Sequence, residues 1–147
     1  MKTVGCLPTH GDPYMLKHWL VNYDRVWRGE VEELHVLVSG QPDPEVEAYM
    51  RSITEDVGAK FIGCVGATMD HGLAMRQLAE HAVIPHHGVN ADVVAFFEGD
   101  SRVCTPGAVR ERVERVAVGE VAIGSPRVSM DGRLDAACRA RWGPFSD

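Results

Sequence analysis

Asp92–Val103 reads DVVAFFEGDSRV. Its first half is a short apolar run of the length and residue type that is typical of a strand buried on both faces. Glu98 and Asp100 follow at once, separated by Gly99. Side chains two residues apart on an extended backbone point the same way, so we expect both carboxylates to converge in front of the strand end, with Gly99 leaving room for a ligand. The stretch therefore predicts a central strand that ends in a polar loop with two carboxylates.

Two hard oxygen donors aimed at one point suit a divalent cation that also binds phosphates. A polar loop is also the ordinary end of a parallel strand. This stretch by itself leaves both interpretations open, and the segments before it are needed to place the loop in a fold.

Three other apolar runs precede this stretch. Strands are predicted at Thr3–Leu7, Leu34–Val38 and Lys60–Val65. Pro8 is expected to end the first strand, because proline lacks the amide donor that a strand ladder uses. The second run is followed by the turn-forming group Ser39-Gly40-Gln41-Pro42.

Helical patterns lie between the strands. Asp12-Pro13 and Asp43-Pro44 each resemble a helix cap followed by proline at the first helical position. Apolar residues at helical spacing follow both, and the aromatic residues among them are predicted to be packing residues: Trp19, Tyr23, Trp27 and Tyr49. We expect helices from Pro13 to near Gly29, from Pro44 to Gly58, from about Asp70 to Pro85 and after Thr105-Pro106-Gly107, then a strand at Val118–Ile123 and a short helix at Leu134–Trp142.

Strands and helices alternate through nearly the whole chain. The predicted fold class is therefore α/β, a Rossmann-like single domain at residues 1–147 with a mostly parallel sheet flanked by helices on both faces. Ligands of such sheets bind outside the carboxyl ends of the strands, near the point where strand order reverses. The candidate site loops are Pro8–Asp12, Ser39–Asp43, Val65–Gly72 and Glu98–Val103.

Composition restricts the class of partner. The 147 residues are 45% hydrophobic and 24% charged, as in ordinary soluble globular proteins. A net charge of −6 argues against nucleic acid or an anionic membrane as the main partner. No apolar run approaches the length of a membrane span, and the N-terminal run is too short for a signal peptide, so a cytoplasmic location is expected.

The cysteines point the same way. Cys6, Cys64, Cys104 and Cys138 lie far apart and form no C-x-x-C pair. Three of them sit in or beside apolar runs. We therefore predict buried free thiols in a reducing compartment, and neither a disulfide framework nor a zinc site.

Five segments carry a resemblance to a known family. In chain order they are LPTH at Leu7–His10, VLVSG at Val36–Gly40, HGLAMRQ at His71–Gln77, FFEGD at Phe96–Asp100 and TPGA at Thr105–Ala108. Their order and spacing resemble the nucleotide-sugar-binding part of GT-A-fold glycosyltransferases, closest to the family 2 enzymes. The fourth segment resembles that family's D-x-D metal motif, and the fifth resembles the proline-glycine helix start that often follows it.

The resemblance implies an activity and a set of binding residues. The activity would be transfer of a sugar from a nucleotide diphosphate sugar to an unknown acceptor, with Mn²⁺ or Mg²⁺ bound. Asp100 would be the direct metal ligand, Glu98 a ribose or water-mediated metal contact, and Arg76 a nucleotide contact. The full set of implied nucleotide-sugar-binding residues is Pro8, Thr9, His10, Ser39, Arg76, Glu98 and Asp100, with Asp100 and Glu98 at the metal.

The sequence also departs from the family. Glu98 replaces the usual first aspartate of the D-x-D motif. Family members usually continue into a second half that supplies the acceptor site and, in inverting enzymes, the catalytic base, whereas this chain stops at Asp147. A truncated form, an unusually small enzyme or a completing partner chain would each account for this, and a homo-oligomer is a further possible assembly. The catalytic residue is left unassigned, with Asp131 and Asp135 the only late aspartates before the terminal residue.

Two other functions stay open. A nucleotidyltransferase that makes the sugar nucleotide would normally carry a glycine-rich, basic loop after the first strand, but Pro8–Asp12 has one glycine and no lysine or arginine. A degenerate, non-catalytic module would keep the fold for binding or assembly. Arg76 would then be a solvated surface residue, and the carboxylates an ordinary loop.

Overall fold

The computed structural model describes residues 1–67, 70–83 and 89–119. Within these residues four parallel strands alternate with four α-helices, and a π-helical turn extends the first helix. The elements in chain order are β1 (Thr3–His10), α1 (Pro13–Asn22), the π-helical turn (Tyr23–Trp27), β2 (Glu33–Ser39), α2 (Pro44–Asp56), β3 (Lys60–Val65), α3 (His71–Val83), β4 (Val93–Phe96) and α4 (Ala108–Ala117).

The described strands form one sheet in the order β3-β2-β1-β4, and every neighbouring pair is parallel. The chain runs outward from β1 through β2 to β3, then crosses back to place β4 on the other side of β1. Strand order therefore reverses between β1 and β4, which is where an open parallel sheet binds its ligands. The predicted α/β class is confirmed.

Helices cover both faces of the sheet, and the side chains of each strand point alternately into the two cores between sheet and helices. Leu34, Val36 and Val38 point into a core that includes residues of α1, α2 and α4. Cys6 and Leu37 point to the opposite face, where they pack against α3. No helix in the described ranges is long and apolar enough to cross a membrane.

The structure corrects the predicted end of the first strand. β1 continues through Pro8, which is buried and pairs in register with Leu37. The N–H and C=O of one strand residue point to the same side, and that side alternates from residue to residue. Phe97 N donates to Cys6 O on the β4 side, so the nitrogen of Pro8, two residues later, also faces β4. Since the ladder with β4 stops at Phe96, the missing amide costs no ladder bond there.

Other predictions also need correction. β4 lies at an edge of the described sheet and its Phe96 is 42% exposed, so β1 and β2 are the central strands. Tyr49 is 40% exposed and is not a core residue, unlike Trp19 and Trp27. Val118 belongs to the turn after α4, while the remainder of the strand predicted at 118–123, the helix predicted at 134–142, and Asp131 and Asp135 lie outside the described residues.

The three described cysteines are free, as predicted. Cys6 is buried, and burial raises the pKa of its thiol to about 12. Cys64 is half-buried, but Cys104 is exposed in the loop before α4, which corrects the prediction for that residue. Cys138 lies outside the described residues.

Glu33 links three strands at the amino edge of the sheet. Its carboxylate accepts from Lys2 at 2.8 Å, from Lys60 at 2.7 Å and from His35 Nε2 at 2.9 Å. Partial burial by itself raises the pKa of Glu33, but the hydrogen bonds from the two lysines and the histidine outweigh it and lower the pKa to about 2. This network lies at the end of the sheet opposite the candidate site loops.

Glu33→Gln is expected to destabilise the chain by about 2 kcal/mol at pH 7, because both lysines lose their shared charged acceptor. The depressed folded pKa means that the unfolded chain takes up the proton first as the pH falls. The contribution of Glu33 is therefore complete above pH 4.5 and disappears as the pH approaches 2. Urea unfolding at pH 7 and pH 3 should show a smaller pH effect for Glu33→Gln than for Glu32→Gln, its exposed neighbour. Equal pH effects on the stability of the two variants would contradict this role of Glu33.

Candidate functional site

The carboxylate turn, Glu98–Ser101, lies against the end of β1. The β1–β4 ladder stops at Cys6 and Phe96, but the chain continues alongside β1. A methyl group added at Gly99 would come within 3.1 Å of Thr9 Oγ1. Thr9 thus occupies the side of Gly99 where a side chain would lie, and glycine at this position allows the close approach of the turn to β1.

Glu98 and Asp100 lie in this turn and not on extended backbone. Ser101 N donates to Glu98 O at 3.1 Å, and Ser101 Oγ donates to the same oxygen at 2.7 Å. Alternation along a strand therefore does not set the directions of these two side chains. Both residues are exposed, and neither forms an ion pair with another described residue. Their oxygens are thus open to solvent and to a cation.

Helix α1 fastens the segment that carries these carboxylates. Trp19 Nε1 donates to Glu98 O at 3.1 Å. Asn22 bonds both backbone groups of Val103, donating from Nδ2 to its oxygen at 2.9 Å and accepting its N–H at 3.1 Å. Neither anchor could be predicted from the sequence, because 79 and 81 residues separate the partners and no local pattern marks them.

Glu30 fastens the next segment of the chain. Its carboxylate accepts from Gly107 N at 2.5 Å, Val109 N at 3.0 Å and Arg110 N at 3.2 Å. These amides have no partner within α4, so Glu30, from the loop before β2, caps the start of that helix. Gly107, with φ of +86°, permits the left-handed backbone that this start uses.

A cleft of about 330 Å³ lies between the carboxyl ends of β1 and β2. His10 and Ser39 face each other there, with 3.2 Å between His10 Nδ1 and Ser39 Oγ. The His71 ring at the start of α3 lies 6.2 Å from the His10 ring, centre to centre. The residues that line the cleft are His10, Gly11, Asp12, Ser39, Gly40, Gln41 and Pro42.

The hydroxyl of Ser39 has two partners in this cleft. It lies 3.3 Å from Thr9 O, to which it can donate, and 3.2 Å from His10 Nδ1. When its one hydrogen goes to Thr9 O, Nδ1 of His10 is the donor to Ser39, and Nε2 of a neutral ring is then an acceptor that faces away from Ser39.

Arg76 is not brought to either feature by a described contact. It projects from α3 with its side chain 76% exposed and bonds Glu80 Oε1 at 2.8 Å. The hydrogen bond and charge of Glu80 raise the pKa of Arg76. This i,i+4 pair corresponds to the solvated alternative for Arg76.

Of the predicted binding residues, the described contacts join two groups. Thr9 lies against the carboxylate turn, and His10 lies against Ser39. Pro8 is buried inside β1, so its side chain is not open to a ligand. Among residues 1–67, 70–83 and 89–119, no three histidine, cysteine or acidic side chains converge as a metal site.

Comparison of the chain with protein-family models finds no matching family, and a search of curated proteins finds no matching relative. The structure shows a small α/β domain with a four-stranded parallel sheet, and the comparisons assign it to no family.

Proposed function

We propose that this chain binds a nucleotide diphosphate sugar together with Mn²⁺ or Mg²⁺ and transfers the sugar to an acceptor, as a GT-A-like glycosyltransferase domain. In that reaction the bond from the anomeric carbon to the diphosphate breaks, and a bond to an acceptor oxygen forms. The acceptor and the catalytic base are not assigned.

One observation carries the proposal: two exposed carboxylates occupy a turn at the point where strand order reverses. The turn containing Glu98 and Asp100 lies against Thr9 at the end of β1, and β1 and β4 flank the reversal. Open parallel sheets bind ligands at this position. Carboxylates placed there suit a cation that also binds phosphate.

Both carboxylates are exposed and could reach such a cation. Asp100 would hold it directly, and Glu98 would contact it through water or contact the ribose. Two protein oxygens suffice, because Mg²⁺ commonly keeps several waters and takes its other ligands from substrate phosphates. When bound, the cation would act as a Lewis acid for the departing diphosphate.

The cleft beside His10 supports the same function. Its volume of about 330 Å³ lies in the range of small-ligand pockets. His10 borders the cleft and Thr9 borders the carboxylate turn, so both features lie at the carboxyl end of β1, one on each face of the sheet. A nucleoside in the cleft and a diphosphate at the turn would therefore be held at the end of one strand.

A thermal-shift titration tests the proposal. The purified chain is titrated with UDP, GDP, dTDP and ADP, each with and without Mn²⁺. One diphosphate at about 100 times its dissociation constant should stabilise the chain by about 2.7 kcal/mol, and only when the metal is present. The proposal fails if no combination of nucleotide and metal moves the transition.

The contact between His10 Nδ1 and Ser39 leads to a prediction with two matched variants. In His10→Asn the amide replaces Nδ1 and keeps the contact with Ser39, whereas in His10→Gln the amide reaches the position of Nε2. If Nε2 accepts a hydrogen bond from the nucleotide, His10→Asn should weaken binding about tenfold, the loss of roughly 1.4 kcal/mol. His10→Gln should weaken binding less.

Isothermal titration of both variants with the stabilising diphosphate and Mn²⁺ measures this difference. Thermal unfolding without ligand serves as the control for fold integrity. Equal affinity in both variants would show that Nε2 makes no contact with the nucleotide.

A further inference from the structure

Asn22 is placed where an α-helix changes into a π-helical turn. It is the last residue of α1, and the π-helical turn begins at Tyr23. Its carboxamide bonds the N–H and the C=O of Val103, as a neighbouring strand would. Both backbone groups of Val103 are thereby satisfied by one side chain.

The π-helical turn brings a second residue to the same amide. Trp27 Nε1 donates to Asn22 Oδ1 at 3.3 Å, five residues along the chain. In an α-helix, side chains five residues apart lie about 140° from each other around the axis, too far apart to meet. In a π-helix the backbone bonds residue i to residue i+5, so side chains five apart lie on nearly the same side. The wider turn thus lets Trp27 orient Asn22 while its ring packs on Phe97, with 4.5 Å between ring centres.

Trp19 completes the attachment from the preceding turn of α1. It lies three residues before Asn22, so the two side chains share a face of the helix. Trp19 holds Glu98 O and Asn22 holds Val103, so α1 fastens the two ends of the segment 98–103. Asp100 lies between these two attachments, and Glu98 lies at the first of them.

We propose that Asn22 is a positioning residue, which holds the carboxylate turn in the conformation that binds the cation and its nucleotide. This inference rests on the proposed function, because it assigns Asn22 a role at that site. Two like charges in one exposed turn repel each other, so fixing the turn before the cation arrives lowers the ordering cost of binding. π-Helical turns are uncommon and frequently occur at functional sites, in agreement with this role.

Asn22→Ala is compared with Glu30→Ala, which removes a similar long-range bond from a side chain to the backbone. Glu30 holds the start of α4, and its described side-chain hydrogen bonds all go to residues 107–110. Binding of Mn²⁺ with UDP, GDP, dTDP and ADP is measured from the loss of the electron paramagnetic resonance signal of free Mn²⁺, at a temperature where both variants are folded. Asn22→Ala should weaken binding at least tenfold, and Glu30→Ala by less than twofold.

Trp27→Phe provides a second, milder variant. It keeps a buried ring but removes the donor to Asn22, so we expect a smaller loss of affinity in the same direction, about threefold. Amide hydrogen exchange at Ser101 and Val103 without ligand should rise in Asn22→Ala and stay unchanged in Glu30→Ala.

Three results would overturn the inference. Wild-type affinity in Asn22→Ala would show that the turn needs no positioning by this residue. Equal losses of affinity in Asn22→Ala and Glu30→Ala would show a general effect of stability. A wild-type chain that binds no combination of Mn²⁺ and nucleotide would remove the proposed function, and the inference with it, so this failure is distinguishable from the other two.

Discussion

Asp100→Asn is expected to abolish the stabilisation that a nucleoside diphosphate and Mn²⁺ confer together, with a loss of affinity of about 100-fold or more. The substitution keeps the size of the side chain but removes the charge of the direct cation ligand. Removal of groups that only orient a metal ligand already costs 10- to 100-fold, so loss of a direct ligand should cost at least as much. The free chain should keep its stability, because Asp100 is exposed and forms no ion pair with a described residue.

Asp56→Asn is the charge-matched control. Asp56 is exposed at the end of α2, away from the carboxyl edge of the sheet, and the substitution changes net charge by the same amount. Titration of both variants with the stabilising diphosphate and Mn²⁺ separates a local metal contact from a general effect of charge. Equal affinities in the two variants would contradict the role of Asp100.

Trp19→Ala is expected to destabilise the chain by about 3–5 kcal/mol, which is enough to unfold many domains of this size. Trp19 is 1% exposed and packs against Trp27 and Phe97, with ring centres 5.4 and 5.7 Å away. Truncation would leave a cavity between α1 and the segment after β4. Urea unfolding followed by circular dichroism measures the loss.

Two further variants separate packing from hydrogen bonding at this position. Trp19→Phe keeps most of the buried ring but loses the donor to Glu98 O, so a cost of about 1–3 kcal/mol is expected. Tyr14→Ala, on the same helix but 74% exposed, should change stability by less than about 0.5 kcal/mol. A Trp19→Ala chain as stable as the Tyr14→Ala chain would contradict the packing described here.

The fold class could be predicted because its signals are local. Apolar runs of strand length alternate with capped helical patterns, and β3 was predicted with its observed bounds, Lys60–Val65. The errors arose where neighbours decide the outcome. Pro8 continues β1 because its nitrogen faces a side where the ladder has ended, and β4 is an edge strand of the described sheet because of strand order. Neither fact is encoded within a few residues of sequence.

The candidate site was predictable in its residue types more than in its geometry. His10 and Ser39 meet because parallel strands align their carboxyl ends, and that rule needs only strand assignments. The turn at Glu98 was missed, since alternation along a strand says nothing once the chain has turned. Asn22 was missed because its partner Val103 is 81 residues away.

The central claim is that a cation and a nucleotide meet at the carboxylate turn. Paramagnetic broadening by Mn²⁺ tests it most directly, in ¹⁵N–¹H spectra of the chain with a diphosphate present and Mn²⁺ added below stoichiometry. We predict that the amide signals of Gly99, Asp100 and Ser101 disappear first, while those of Ser52 and Asp56 on α2 persist. Loss of signals elsewhere, or equal broadening throughout the chain, would contradict the claim.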